Sequence, residues 1–250
     1  MPIMTHYWRP GENFLQQIID SIKDRIEEKD IVTISEKAIS TSLGNLVDES
    51  KIQSGWLAHF LAKYWIRLFW GYFLGSLCHL KKKTIQHFKD YPIEEGSAHK
   101  QVALQYAGFL QALMHGSEGG IDGSNLPYSY VSLPLKNTQH IAQKIRNHIK
   151  AKLKKNVTVL IVDTDKTFSF RNFHFTPRPK PVENIHSFGG VFAYVVGRFF
   201  KIKRRATPIA MAGTQIHVEE ALEISDLANR SRGFGVEEPF GTWQTSSKYP

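Results

Sequence analysis

Cysteine is almost absent from this chain. Cys78 is the one thiol among 250 residues, so no intrachain disulfide framework and no cysteine-based zinc site can be built. No G-x-x-x-x-G-K run followed by Ser or Thr occurs, which excludes a Walker-type phosphate cradle. No uncharged apolar run reaches membrane-spanning length. The most apolar segment, 55–80, carries Lys63 and Arg67 in its middle, where charge is costly in a bilayer. The opening M-P-I-M-T-H-Y-W-R-P lacks the apolar stretch of a secretory signal. Internal repeats and low-complexity blocks are missing too. A cytoplasmic protein with no membrane partner is the expectation.

What is present suits a folded chain. The hydrophobic share of 42% against a charged share of 22% supports one large core or two smaller lobes. A net charge of +9 favours an anionic partner: a nucleotide, a phosphorylated metabolite or, less favoured, nucleic acid.

The most informative stretch is V-L-I-V-D-T-D-K-T, residues 159–167. A short run that is apolar on both faces reads as a buried central strand. Its aspartates would then stand at the rim of a sheet, where open α/β-type sites lie. Asp163, Thr164 and Asp165 offer hard oxygens that suit Mg²⁺ or Mn²⁺ rather than zinc. The plainer reading is a turn closed by aspartates.

Upstream, Phe14, Leu15, Ile18, Ile19, Ile22 and Ile26 have the spacing of an amphipathic helix. Residues 30–35, D-I-V-T-I-S, read as a strand running into Glu36 and Lys37. That pair is either a surface ion pair or a ligand contact. Segment 55–80 is read as a largely buried aromatic helix with a narrow basic stripe of His59, Lys63 and Arg67, its aromatic surface suited to a core or a dimer interface. Residues 98–114 fit either a strand pair or a helix. The Gly- and Ser-rich turn 115–125 carries Glu118, Asp122 and Asn125, and backbone N–H groups with carboxylates can hold a metal–phosphate unit. Residues 138–153 are a helix with an Ile141, Ile145, Ile149, Leu153 stripe. After Thr167 an irregular, basic and aromatic loop is expected, with Pro177, Pro179 and Pro181 forbidding regular structure. A helix over 191–200, a second buried strand over 206–212 and a last helix over 218–228 follow. Arg171, Arg178, Lys201, Arg204 and Arg205 are candidate anion contacts. A body of 1–232 and a tail of 233–250 complete the organisation.

Two enzyme families share features with these residues. D-x-D-x-T at Asp163, Asp165 and Thr167 is the opening motif of haloacid-dehalogenase-like phosphatases, but the motif stands late in the chain and the later acidic motif of that family is missing. The blocks Y-W-R-P-G-E, D-I-V-T-I-S-E-K-A-I-S, G-G-I-D-G-S-N and V-T-V-L-I-V-D-T-D, in that order and spacing, resemble the γ-glutamyl ligase of coenzyme F-420. The resemblance runs from the N-terminus to about residue 229. It implies a P-loop-free, mixed-sheet α+β fold, of two intertwined lobes, usually as a homodimer. It also implies GTP as co-substrate, an acyl-phosphate intermediate, and L-glutamate or a similar amine joined to an anionic acceptor. The metal ligands it implies are Asp122, Asp163 and Thr164, and the GTP contacts are Ser35, Glu36 and Asn125. Asp165, Arg171 and Arg178 are possible additions. This chain departs from the family pattern at Thr41, where the family has lysine, and at 165–167, where the family's Gly-Arg is replaced. A divergent branch follows, with a non-catalytic nucleotide- or nucleic-acid-binding protein on the same scaffold as the other reading.

Overall fold

A computed structural model describes residues 1–231 other than 117, 125 and 128. The expected tail and Asn125 lie outside the described residues. The first helix, α1 (Phe14–Ile22), starts at Asn13, whose side chain accepts from the backbone N–H groups of Leu15 and Gln16. It buries Phe14, Ile18, Ile19 and Ile22, as the spacing predicts. Strand β1 (Ile31–Ser35) passes directly into α2 (Glu36–Ser42). Strand β2 (Leu46–Asp48) pairs antiparallel with β3 (Tyr130–Ser132).

Between β2 and β3 the chain is helical. A long helix begins as α3 (Trp56–Phe60), continues as a π-helix over Leu61–Leu74 and ends as α4 (Gly75–Leu77). Next come α5 (Lys82–Lys89), α6 (Ile93–Tyr106) and α7 (Phe109–Ala112). Residues 98–114 are thus helical. Helix α8 (Thr138–Leu153) leads to the central strand β4 (Thr158–Phe170). Then follow β5 (Phe173–Thr176), β6 (His186–Ser187), α9 (Val191–Phe199), β7 (Lys203–Ala212) and α10 (Val218–Ser231).

The main sheet is mixed and centred on β4. On one edge β1 runs parallel to it, from Ile31 opposite Thr158 to Ser35 opposite Val162. On the same edge β5 pairs antiparallel with Phe168–Phe170. Strand β7 lies antiparallel along the other edge, with register shifts at Ile161/Val162 and Asp163/Lys166. Residues 163–167 therefore have β7 beside them but no paired strand on the β1 edge, and the second bulge sits at the same point. Bulges of this kind re-aim side chains beside functional sites.

Two cores result. One joins the sheet to α1 and α8 through Ile145, Ile149, Val159 and Ile161. The other gathers Leu61, Ile66, Trp70, Val102 and Met114 in the helical part, and α9 adds Val191 to it. The chain leaves the sheet lobe after α2, returns at α8, revisits the helical lobe in α9 and returns in β7. This is the expected α+β fold with two intertwined lobes.

Two expectations are corrected. The irregular loop after Thr167 is instead a hairpin, because β4 continues to Phe170 and β5 follows after two residues. The period-2 arrangement F-S-F and F-H-F buries Phe168 against Phe175, ring centroids 5.5 Å apart, and the prolines come only after β5. The carboxylates accordingly lie within β4, not at its end. The aromatic helix is also not largely buried. Ala58, Ala62, Ile66 and Trp70 face inward, while Phe60, Tyr64, Phe69, Phe73 and Leu77 face outward. The inward set recurs every four residues and the outward set every four or five, which suits i→i+5 winding and not a 3.6-residue turn. The basic stripe is broken up accordingly. His59 is 3.0 Å from Ser97 Oγ, Arg67 donates to the Tyr91 carbonyl at 2.8 Å, and Lys63 is exposed.

Gly197 in α9 lies against the Phe168 ring, where an added Cβ would come within 2.2 Å. Gly197→Ala gains up to about 1 kcal/mol of helix propensity, but overpacking there should remove roughly 1–3 kcal/mol. A lower urea midpoint is expected; a midpoint at or above wild type would contradict this packing.

Candidate functional site

The unpaired edge of β4 opens on a cleft with about 280 Å³ of space, part of it open to solvent. It is lined by Ser35, Glu36 and Lys37 from the end of β1, by Gly120 and Asp122, by Ser132 and Leu133, and by Asp163 and Thr164. Five residues singled out from the sequence, Ser35, Glu36, Asp122, Asp163 and Thr164, thus meet in one place. The sheet explains why: β1 stops at Ser35, one step short of the level of Asp163, so the start of α2 and the middle of β4 face the same gap.

Asp122 is held by its own turn. Its Oδ1 accepts from the Ser124 N–H at 2.8 Å and from Ser124 Oγ at 2.6 Å. Its Oδ2 lies 2.8 Å from Lys37 Nζ, with the aspartate side chain 29% exposed and so accessible to a ligand. Lys37 Nζ also donates to the Ser124 carbonyl, and to Ser124 Oγ at 2.7 Å. Burial alone would raise the Asp122 carboxyl; Lys37 and the Ser124 hydrogen bonds outweigh it and hold the group below its ordinary value. The Asp122 backbone bridges Ser132, which pins the turn to β3.

Behind this pair lies a second, fully buried one. Arg178 Nη2 donates to both Glu36 oxygens, at 2.6 and 2.8 Å, and the Leu135 N–H donates to Oε1 at 2.7 Å. Arg178 Nε stands 3.1 Å from Asp163 Oδ2, close enough for an ion pair but without hydrogen-bond geometry. Gly120 makes room for this guanidinium: its φ is +96°, and a Cβ there would come within 1.6 Å of Arg178 Nη1. Burial pushes the Glu36 carboxyl up to about 7, against the pull of Arg178, and the charge of Asp163 adds to the rise.

Glu36 and Lys37 are therefore not an ion pair with each other. Each reaches across the cleft, Glu36 to Arg178 and Lys37 to Asp122. Consecutive residues at the start of a helix point in different directions, which defeats a pairing read from adjacency. Lys37 was read with Glu36 as either a surface ion pair or a ligand contact, and its partner Asp122 was not foreseen. Other candidates lie elsewhere. Arg171 is exposed at the tip of the β4–β5 hairpin. Asp165 is buried and does not line the cleft. Lys201 and Arg204 are exposed, and Arg205 is buried in a two-point pair with Glu219 at 2.7 and 2.8 Å. Asn125 lies outside the described residues.

Glu118 does not enter the cleft. It is buried between Lys100 Nζ at 2.7 Å and His99 Nε2 at 3.2 Å, and His99 Nδ1 lies 2.6 Å from Glu49. Lys100 also donates to the Met114 carbonyl. These contacts clamp the start of the Gly-rich turn that leads to Asp122.

Such a structure is an α+β protein with a cleft beside the central strand, where an accessible carboxylate–cation pair lies in front of a buried one. The chain belongs to the F420-0:gamma-glutamyl ligase family, whose model matches residues 2–176. It is also 37% identical over 236 residues to an uncharacterized protein of Methanocaldococcus jannaschii, covering 91% of this chain and 80% of that protein. Ligase membership displaces the phosphatase reading of D-x-D. No helix among the described residues is long and apolar enough to cross a membrane.

The buried histidine makes a pH prediction. Burial would depress His99, but the carboxylates of Glu49 and Glu118 outweigh it and push it up to about 10 from 6.5. A raised folded pKa gives stabilisation that is complete below about 6.5 and fades as pH rises toward 10. His99→Gln, which keeps a hydrogen-bonding group without the charge, should cost most near pH 6. Its deficit relative to wild type in urea unfolding should shrink by pH 10; a pH-independent deficit would contradict a charged His99.

Proposed function

We propose that this chain is a GTP-dependent ligase that joins the carboxylate of an anionic small molecule to L-glutamate or a similar amine through an acyl phosphate. The observation that carries this reading is the convergence of Ser35, Glu36, Asp122, Asp163 and Thr164 on one cleft, in a member of a γ-glutamyl ligase family.

The donor set suits a hard divalent cation. Asp122, Asp163 and Thr164 present oxygens, and the buried Asp163 Oδ2 accepts no hydrogen bond. Among the described residues no three His, Cys, Asp or Glu side chains cluster into a complete metal cage. That fits Mg²⁺ or Mn²⁺ bound in the nucleotide manner, through one or two carboxylates, with phosphate and water oxygens completing the shell. When bound, such a cation would supply charge neutralisation at the transferring phosphoryl group. Asp122, Asp163 and Thr164 would hold it. Lys37, on the open side, would take phosphate oxygens. Ser35 and Glu36 would bound the nucleotide end of the cleft. Arg178 would hold Asp163 in place.

Asp163→Asn keeps the shape and removes the charge. GTP-derived phosphate release, measured with Mg²⁺ or Mn²⁺, glutamate and candidate acceptors, should fall by a factor of roughly 10². Asp165→Asn should be tolerated better, because Asp165 does not line the cleft. Circular dichroism melts on both variants separate lost chemistry from lost fold. Wild-type turnover persisting in a folded Asp163→Asn variant would sink the assignment. GTP binding without turnover in wild type would leave a binding protein.

A further inference from the structure

Among the described residues that line the cleft, Lys37 is the one cation. Its ammonium stands on an oxygen that the ligase reading gives to a metal: Nζ lies 2.8 Å from Asp122 Oδ2. The other oxygen of that carboxylate, Oδ1, accepts twice from Ser124. A divalent cation that ligates Asp122 would therefore meet a like charge at its ligand, in a partly buried site where such repulsion is weakly screened.

The neighbouring carboxylates offer no way round. Arg178 donates to both Glu36 oxygens, and its Nε stands 3.1 Å from Asp163 Oδ2. The side chains of Glu36, Asp163 and Asp122 are 4%, 10% and 29% exposed, so Lys37 sits on the most accessible of the three. Bracing the turn does not require this contact. Ser124 gives Nζ two acceptors, its carbonyl and its Oγ, and the bridge between Asp122 and Ser132 already pins the backbone.

Lys37 can leave Asp122 when a better acceptor arrives. Its side chain is 20% exposed and rises from the second residue of α2 on a flexible stem. A polyphosphate offers several anionic oxygens to an ammonium. Phosphate that draws Nζ away uncovers Asp122 for a cation, and a cation on Asp122 frees Nζ for phosphate. Such help between two ligands is reciprocal.

We propose that Lys37 couples the two ligands of this cleft: it opposes a divalent cation arriving alone and admits one that arrives with a polyphosphate. The identity of that polyphosphate as GTP rests on the ligase reading; the coupling rests on the Lys37–Asp122 pair.

The test uses the full chain and Mn²⁺. Electron paramagnetic resonance of free Mn²⁺ measures the metal binding alone. Calorimetry measures Mn²⁺ binding together with a non-hydrolysable GTP analogue and, separately, together with tripolyphosphate. In Lys37→Met the affinity for Mn²⁺ alone should rise by about tenfold, and that for the Mn²⁺–polyphosphate complexes should fall by about tenfold. Adding Asp122→Asn to that variant should abolish the gain for Mn²⁺ alone. The pair is partly exposed, so Lys37→Met should melt close to wild type. Lys37→Gln repeats the test with a polar side chain. The opposite signs of the two changes carry the result. A lysine that only braces the turn would weaken both kinds of binding when removed, and one that only contacts phosphate would leave Mn²⁺ alone unchanged; either outcome overturns the proposal. So does wild-type protein that binds Mn²⁺ alone as tightly as with polyphosphate, a measurement that needs no variant. Coupling with tripolyphosphate but none with the GTP analogue would uphold the role of Lys37 and count against GTP as the co-substrate.

Discussion

The guanidinium of Arg178 stands between Glu36 and Asp163, and much of the sheet lobe is arranged around that contact. The three residues come from far apart in the chain: Glu36 opens α2, Asp163 lies at the bulge of β4, and Arg178 follows β5. All three side chains are nearly inaccessible, at 4%, 10% and 4% exposure. Buried charges persist only when paired, and removing one partner leaves the other uncompensated at a cost of roughly 3–5 kcal/mol. The pair thus holds the hairpin's exit against the first helix. The cleft exists because β1 and β5 leave a gap along β4, and Arg178 reaches into the back of that gap. The glycine at 120 is part of the same constraint, since no side chain fits between that backbone and Arg178.

The helical lobe contributes to the site through one turn only. Lys100, His99 and Glu118 form a buried network just before Gly119 and Gly120, and the β-bridge from Asp122 to Ser132 secures the other end. Burial would raise Glu118, but Lys100 and His99 outweigh it and hold the carboxylate ionised. A Gly-rich turn is conformationally free on its own. Clamped at both ends by charged and backbone contacts, it presents Asp122 in one orientation. The acidic residue that the turn places nearest its start is therefore structural, and the one at its end faces the cleft.

Much of this was legible in the sequence, and the rest was not for identifiable reasons. The apolar run before Asp163 marked the central strand, and the amphipathic spacing of 14–22 and 138–153 marked two helices, because burial on a single face leaves a clear period. The convergence of residues near 36, 122 and 163 came from the order of motifs resembling a family, since nothing local in any of them names a partner across the chain. The β4–β5 hairpin was missed although its Phe168, Phe170, Phe173 and Phe175 alternate, because the prolines just beyond drew the whole stretch into a loop. The π-helix was missed because segment 55–77 is apolar on nearly every side. A pattern without contrast cannot separate a turn of 3.6 residues from a wider one. Lys37 and Arg178 were each seen as cations, but which carboxylate each faces depends on direction from the backbone, which spacing alone does not carry.

The pairing of charges in the cleft bears on how the proposed reaction could begin. A nucleotide triphosphate with its metal brings both signs of charge into a confined site. In the structure Lys37 already pairs with Asp122, and Arg178 already stands against Asp163. Phosphate oxygens can replace a carboxylate as the partner of a lysine, and a divalent cation can replace a lysine as the partner of a carboxylate. Such an exchange leaves no group unpaired at either stage, so the desolvation penalty of an isolated charge never arises. The two pairs differ in how readily they could take part. Lys37 and Asp122 are 20% and 29% exposed, and an ammonium on a flexible stem can turn to a new partner. Arg178 is held by two bonds to Glu36 and by a backbone that only glycine permits. Lys37 is thus the mobile contact and Arg178 the fixed one, and the cleft divides into a side that rearranges around ligands and a side that holds Asp163 still.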